Sequence, residues 1–483
     1  MASRPLRSDP AALVALLSGP GRSDLARFLI RQRWFAAKTR GVAAVEVLDW
    51  AVLDPDGPFV LLLLAVDGDP YYVPVTVSAD AAPEVAIAHA DADAVVDAHD
   101  DPRFGRRVLA AIASGLSLDG RRGRFALRPT AGWAFPANPD VLATRRLTGE
   151  QSNTSVVIGD LVLKSLRRPP PGLNPDLEIT RFLTTRTAFR HVPRLAGWAE
   201  YAGAGEPATL AVLQEFVPNA GDGWTHVVSA LARRGADVAR GSDPLLDEVW
   251  RLGEITGGLH AALASDDHDP DFRPEPVGRE DVVRWAGEIG RELAAPDVHG
   301  RLGAPAGQAP DAVARALAAL DGLADATVKL RVHGDYHLGQ VLKTPDGFVI
   351  IDFEGEPARP LAERRRKQPA LRDVAGMLRS LSYAAHAVAF RRPEPERTAA
   401  LVALTAWEAQ ARDAFLTGYL GQVAESPVPL VPATAEALRS AVAPFELQKA
   451  AYELRYELDN RPDWVAIPLA GIRRILERSP TGA

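Results

Sequence analysis

The sequence predicts an α+β protein, and three features carry that prediction. Short apolar runs bounded by turn residues crowd the first 220 or so positions, and longer runs of helical period fill the rest. Of the 483 residues, 47% are apolar, ample for ordinary globular cores. A chain of this length corresponds to about three domains, and its texture divides it into residues 1–130, 131–220 and 221–483.

The first segment opens with a helical stretch and continues in "VEVLDWAVL", "FVLLLLAV" and "PYYVPVTV". These runs predict a small curved sheet with helical trim, a mainly β unit. "FVLLLLAV", Phe59 to Val66, is too short to span a bilayer and suits a buried strand. The alanine- and aspartate-rich "AIAHADADAVVDAHDDPRFG" reads as a solvated helix or loop rather than a metal site, and "RRVLAAIASGL" as a helix. In the second segment "VLATRRL" and "SVVIGDLVLKSLR" are strands, the latter carrying a hairpin signal at Gly159-Asp160. A proline-rich loop leads to the helix "DLEITRFLTTR", and "ATLAVLQEFVPN" is a further strand. After Gly223 the chain reads as helical, interrupted by "VHGDYHLGQVLKTPDGFVIIDFEGEP", Val332 to Pro357.

Composition narrows the function. A net charge of −7 leaves no global electrostatic footprint for nucleic acid, so an anionic ligand must meet a local basic site. With no cysteine there are no disulfides, thiolate metal sites or cysteine nucleophiles. The first twenty residues show neither a sustained apolar core nor a cleavage site, so the expectation is a cytoplasmic protein with no membrane partner.

The interrupting stretch carries the chemistry. It reads as a loop that presents side chains, a strand, a hairpin, and a second strand ending in an aspartate, which places Asp335, Gln340 and Asp352 to converge. Phosphoryl transfer needs such a set: a carboxylate to orient and deprotonate the acceptor hydroxyl, and oxygen ligands for magnesium on the polyphosphate. Asp335 suits the first role; Gln340 and Asp352 suit the second, because hard Mg2+ accepts carboxylate and amide oxygen. His333 and His337 lack the glutamate of a helical zinc-protease motif and read as residues that orient the loop by hydrogen bonds.

Upstream lie the groups that would hold ATP. "LTGEQSNTS", Leu147 to Ser155, offers backbone amides and small hydroxyls to phosphates, with Ser152 and Asn153 among them. Lys164 follows on the next strand, and Glu178 on the succeeding helix is its natural ion-pair partner. Gln214, Glu215 and Val217 of "LQEFVPN" suit an adenine-contacting hinge. Taken singly, each has a bland reading as a solvated or strand-end residue; in this order, with the later constellation, the bland readings lose.

The set "HGDYHLGQ", "IDFEGEP", Lys164 and Glu178 resembles the aminoglycoside-phosphotransferase-like kinases. "DFEGEPARPLAERR" with "LRDVAGMLRSLSYAA" is similar to the maltokinase-related branch, whose N-terminal cap domain also carries an "RWF"-type segment, here Arg33 to Phe35. The resemblance covers most of the chain. It implies a bilobal protein-kinase-like fold with a mainly β cap, ATP and Mg2+ as cofactors, Asp335 as catalytic base and Asp352 as metal ligand. The wider superfamily has asparagine where Gln340 stands; maltokinases share the glutamine, which keeps the amide ligand.

Substrate identity falls to "FELQKAAYELRYELDNRPDW", Phe445 to Trp464. On a helix, Glu446, Glu453, Glu457 and Asn460 fall on one side, and Gln448, Tyr452, Arg455 and Asp459 on another. By spacing alone this is a solvated helix laced with ion pairs. The resemblance makes it a sugar-reading surface, with Gln448, Glu453, Glu457, Asp459 and Trp464 as contacts. Maltokinases show an acidic residue where Gln448 sits, whereas the similar actinobacterial glucosamine kinases show this glutamine-plus-acids pattern. Carboxylates favour a C2 ammonium and give neutral maltose nothing comparable. The expected activity is therefore transfer of the γ-phosphate to the 6-hydroxyl of glucosamine. A maltokinase giving maltose 1-phosphate is the alternative, and a non-catalytic kinase-like regulatory or scaffolding protein a third. Glu354 and Glu356 are expected near the metal or substrate, or paired with Arg359 and Arg364 to Arg366.

Overall fold

The computed structural model describes residues 6–35, 41–54, 57–90, 93–147, 152–234, 243–302 and 309–478. The chain forms two compact units: Met1–Thr185 with Pro193–Val217, and Arg186–Val192 with Pro218–Ala483.

The first unit opens with helices α1 (Pro10–Ser18) and α2 (Arg22–Arg31). α1 starts where Asp9 accepts from the Ala12 amide with a proline in the first turn, both good helix-start chemistry. Strands β1 (Val45–Asp54), β2 (Phe59–Val66), β3 (Asp69–Tyr72), β4 (Val75–Ser78), β5 (Ala86–Ala90) and β6 (Asp93–Asp97) form one antiparallel sheet. Its order is β1-β2-β4-β6-β5, with β3 on β2. β2 is apolar on both faces because both are covered. Leu62 and Leu64 pack with Leu13 and Phe28 of the helices, while Leu61 and Leu63 join a second core.

β5 and β6 correct an expectation: Ala86–Ala90 and Asp93–Asp97 are strands, not a solvated helix or loop. Alanine and aspartate are weak strand formers. Here Ile87, Ala88, Val95 and Val96 are buried, and Asp97, 1% exposed, meets the buried Arg167 guanidinium and the His99 imidazole, so tertiary packing overrides propensity.

Helix α3 (Pro102–Ser114), capped by Asp101, follows. A seven-stranded sheet comes next: β7 (Ser117–Asp119), β8 (Arg124–Pro129), β9 (Thr144–Arg146), β10 (Asn153–Ile158), β11 (Leu161–Leu166), β12 (Leu195–Ala202) and β13 (Ala208–Glu215). The order is β7-β8-β12-β13-β11-β10-β9. β10 and β11 form a hairpin turning at Gly159-Asp160, as the sequence signals. Helix α4 (Pro175–Arg186) follows β11. Phe104, Val108 and Ile112 of α3 share one core with Leu61 and Leu63 of the first sheet and Leu163 and Leu213 of the second. Both sheets thus belong to one cooperative body.

The second unit is helical: α5 (Gly223–Arg234), α6 (Pro244–Leu263), α7 (Arg279–Ala294), α8 (Pro296–Leu302), α9 (Ala309–Ala318), α10 (Leu361–Arg364), α11 (Leu371–Phe390), α12 (Glu396–Val423), α13 (Ala435–Asn460) and α14 (Ala466–Arg478). Short strands β14 (Glu275–Pro276), β15 (Val328–Leu330) and β18 (Gln368–Pro369) pair with one another; β16 (Val341–Thr344) and β17 (Gly347–Ile350) make a hairpin. α11 is buried nearly end to end, as its small and apolar residues on every side allow. Its Gly376 sits so close to the loop after β15 that a Cβ there would lie 2.4 Å from the Tyr336 carbonyl oxygen. Only glycine lets helix and loop meet. Among the described residues no helix is long and apolar enough to cross a membrane.

Candidate active site

In the first unit the polar site lies on β11 and α4. Lys164 is 9% exposed, and its Nζ donates to Asp176 Oδ2 at 3.2 Å. Asp176 and Glu178 are both buried in the first turn of α4, where the helix dipole favours carboxylates. Sequence reasoning chose Glu178 for the lysine and passed over Asp176; the two share a turn, and spacing alone does not separate them. Ser152 precedes β10 and Asn153 begins it, while Thr148 to Gln151 of the same loop lie outside the described residues. Gln214 and Glu215 end β13, paired with Val162 and Leu161. The Glu215 carboxylate is taken by Arg194 at 2.6 Å, and the amides of Glu215 and Phe216 donate to Arg194 O and Asp160 O. Val217 is the first residue past this ladder.

In the second unit, the loop after β15 is held by buried groups. Asp373 of α11 accepts from the amides of His333 (2.8 Å) and Gly334 (2.9 Å), and His260 Nε2 of α6 lies 3.1 Å from the same carboxylate. Tyr419 of α12 completes the chain at 2.9 Å from His260 Nδ1. Gly334 takes φ +83°, a left-handed conformation that glycine adopts without strain. The two histidines orient the loop. His333 bonds Ile351 O through Nε2 and packs on Phe353, and His337 Nδ1 accepts from the Gly339 amide. Nothing in the local motif signals Asp373, which lies in "LRDVAG", some forty positions downstream of the loop.

This scaffold presents Asp335. Its Oδ1 accepts from Lys449 Nζ of α13 at 2.8 Å, and the same ammonium stands 3.4 Å from Glu356 Oε1. Burial pushes the Asp335 carboxyl up, but Lys449, with the nearby histidines, outweighs it and holds the group below its ordinary value. Glu356 behaves likewise, through Lys449 and Arg359. Burial drives His337 down against the pull of Asp335, so its imidazole is neutral at neutral pH. Asp335 is thus an ionised acceptor with Oδ1 engaged. Lys449 is the residue sequence reasoning missed, since its contact spans a separation of 114 residues.

Gln340 and Asp352 meet across the β16–β17 hairpin, Gln340 Nε2 donating to Asp352 Oδ2 at 3.1 Å. Turning the amide presents its oxygen instead, giving two hard oxygen donors side by side. Carboxylate oxygens of Asp352 and Glu354 come within 4.8 Å of each other. Asp352 has φ +66°, a strained conformation for an aspartate and one common where a ligating group must be aimed. The donor set fits a hard divalent cation.

Two cavities flank the Asp335–Lys449 pair, and both residues line each of them. A cavity of about 430 Å³, called the acidic cavity for its slight excess of carboxylates, is lined by Glu292, Glu356, Asp459 and Gln448 together with Arg359, Arg372 and Arg455. An aromatic cavity of about 420 Å³ is lined by Trp224, Tyr383, Glu453, Glu457 and Trp464. The expected sugar contacts are therefore not brought together: α13 sends Gln448 and Asp459 to one side and Glu453 and Glu457 to the other. Asn460 faces the acidic cavity, and Glu446 is buried against Arg412. Glu453 is paired with Arg379 at 2.6 Å, Glu457 with Arg461 at 2.7 Å and with the Tyr383 hydroxyl, and Trp464 stacks on Tyr383. Gln448 Nε2 donates to Glu292 at 2.8 Å, and Arg455 pairs with the same carboxylate.

The chain is similar to known proteins over most of its length. Residues 28–110 match the maltokinase N-terminal cap domain. A glucosamine kinase of Streptacidiphilus jiangxiensis is 30% identical over 426 residues, 85% of this chain and 90% of that protein. One from Mycolicibacterium smegmatis is 31% identical over 341 residues, 69% and 79% of the two chains. A solved glucosamine kinase in complex with glucosamine, ADP and inorganic phosphate shares the fold, with TM-score 0.68 and 24% identity over 93% of this chain and 99% of that one.

Fold and site together define a kinase, an ATP:sugar phosphotransferase. The chain belongs to the glucosamine kinase family, in the maltokinase-related branch of the aminoglycoside-phosphotransferase-like kinases.

Proposed function

We propose that the enzyme transfers the γ-phosphoryl group of ATP to the 6-hydroxyl of glucosamine, giving glucosamine 6-phosphate in the cytoplasm. The observation that carries the reading is Asp335, ionised and with one oxygen pinned, opening on a cavity whose wall bears Glu292, Glu356 and Gln448. Family membership supports the sugar. Asp335 orients the 6-hydroxyl and takes its proton as the oxygen attacks phosphorus. Glu292 favours a sugar that carries an ammonium, and Gln448 hydrogen-bonds to its ring substituents. Glu453 and Glu457 line the neighbouring aromatic cavity with Trp464, and so shape that cavity rather than meet the amine. Asp459, further along α13, stands at the rim of the acidic cavity.

The first unit is read as the nucleotide-binding part. Lys164, held by Asp176 and backed by Glu178, meets the phosphates, Ser152 and Asn153 cover them, and Val217, beyond Gln214 and Glu215, meets the adenine edge. Gln340 and Asp352 would hold Mg2+, with Glu354 beside them. The bound ion would neutralise charge on the polyphosphate.

The test is kcat/KM for glucosamine, glucose, N-acetylglucosamine and maltose, with products resolved by phosphorus NMR. The expectation is glucosamine ahead of the others by at least about tenfold, as a single 6-phosphate. Preference for maltose with a 1-phosphate product, the reading that the maltokinase-type cap favours, would replace this one.

A further inference from the structure

An ammonium beside a catalytic base is an odd neighbour for an enzyme whose substrate is itself an ammonium ion. Lys449 Nζ lies 2.8 Å from Asp335 and 3.4 Å from Glu356, and it sits over the Tyr452 ring at 4.8 Å. Its side chain is 16% exposed and lines both cavities that reach the base. We infer that Lys449 determines which hydroxyl of an amino sugar reacts: it bars from the base any hydroxyl adjacent to a protonated amine, and admits only one remote from it. This rests on the reading of Asp335 as the base of a glucosamine kinase.

The argument is distance. In glucosamine the C2 amine neighbours the 1- and 3-hydroxyls, about 3 Å away, while the 6-hydroxyl lies across the ring. Either neighbouring hydroxyl, hydrogen-bonded to the Asp335 carboxylate, would bring the sugar ammonium to roughly 4–6 Å from Lys449 Nζ. Like charges at that separation near a protein surface repel, and because the Asp335 and Glu356 carboxylates offset part of that repulsion, the pose is disfavoured by about tenfold. With the 6-hydroxyl on Asp335 the amine points away, toward the wall that carries Glu292. Around Asp335 also stand Glu356, paired with Lys449 and Arg359, Tyr452, His337, neutral, and His333, whose Nε2 is bonded to Ile351 O; Arg359 and Arg372 line the same cavity, while the Lys449 ammonium bonds the base itself. Lys449 is thus the cation that sets this bar.

The step balances. The acceptor oxygen forms its bond to the γ-phosphorus of ATP as the bond from that phosphorus to the β–γ bridging oxygen breaks. The hydroxyl proton passes to Asp335 Oδ2, and ADP departs.

The inference is tested with two acceptors and two variants. For the wild-type enzyme, 4-amino-4-deoxyglucose, whose amine lies next to the hydroxymethyl arm, should show kcat/KM about tenfold below glucose. In Lys449→Met that ratio should rise about tenfold toward one, and phosphorus NMR should show 1- or 3-phosphate isomers of glucosamine beside the 6-phosphate. Asp335 loses its cationic partner in this variant, so its carboxyl titrates higher and the acid limb of kcat/KM moves to higher pH. Lys449→Arg should restore the single product. The inference is overturned if the wild-type enzyme uses the 4-amino sugar as well as glucose, or if Lys449→Met keeps both the ratio and the single product. Should Lys449→Met fail to fold, the wild-type comparison decides alone. Preference of the wild-type enzyme for maltose would instead overturn the glucosamine reading, which is a separate outcome.

Discussion

Each unit buries a carboxylate against a histidine, and the two arrangements have different consequences. In the first unit Asp97 Oδ1 lies 2.7 Å from His99 Nδ1, His99 Nε2 lies 2.8 Å from Ser165 Oγ, and Arg167 bonds both Asp97 and Thr154. The face of Trp34, in the segment "RWF", packs 4.8 Å from the guanidinium. Burial pulls His99 down to about 4 with Arg167 adding to it, so the ring is neutral. Burial raises Asp97, but Arg167 and His99 outweigh it and keep the carboxylate ionised. Apart from the His99 amide, which donates to Asp97 Oδ1 at 3.0 Å, the partners are side chains, and the network closes on itself within one core. In the second unit Asp373, with His260 and Tyr419, spends its oxygens on the backbone amides of His333 and Gly334. That network ends on the loop that aims Asp335. The same residue types therefore lock strands in one place and set the position of Asp335, the proposed base, in the other.

Removing one member from each network separates their roles. Asp373→Asn should have the larger effect on turnover. An amide in its place meets two backbone donors with one acceptor and one donor, and the loop shifts. A displacement of about 1 Å at a catalytic group costs on the order of a hundredfold, so kcat per folded molecule should fall by about that much, as read by coupled assay with circular dichroism as the folding check. Arg167→Met should act mainly on stability. Stranding the buried Asp97 carboxylate costs about 3–5 kcal/mol, to be read in urea unfolding, while kcat of the folded protein should stay within about tenfold of wild type. If Arg167→Met lost turnover without stability, or Asp373→Asn lost stability alone, the assignment of the two networks would be reversed.

Much of the site was legible because it is local. "HGDYHLGQ" and "IDFE" place Asp335, Gln340 and Asp352 on one loop and one hairpin, and the Gln340–Asp352 contact spans only twelve positions. β2, α3 and the β10–β11 hairpin were equally readable, since periodicity and a Gly-Asp turn are near-neighbour signals. The illegible parts depend on distant sequence. Lys449 reaches Asp335 from α13, Asp373 reaches the loop from α11, and Asp97 becomes strand because Arg167 meets it seventy positions later. The helical phase of α13 separated Gln448, Arg455 and Asp459 from Glu453 and Glu457, whereas Tyr452 lines both cavities, Asn460 falls with the first group and Glu446 is turned to Arg412. What the phase could not give was the second cavity on the other side of the Lys449 ridge.

If Asp335 is the base of the sugar phosphotransferase, Asp335→Asn should abolish turnover and spare nucleotide binding. The measurement is glucosamine-dependent ADP release at saturating ATP, with ATP affinity measured on the same preparation by calorimetry. The account predicts that kcat falls by about a thousandfold or more while ATP binding stays within about threefold of wild type. An Asp335→Asn enzyme that releases ADP at the wild-type rate would contradict it.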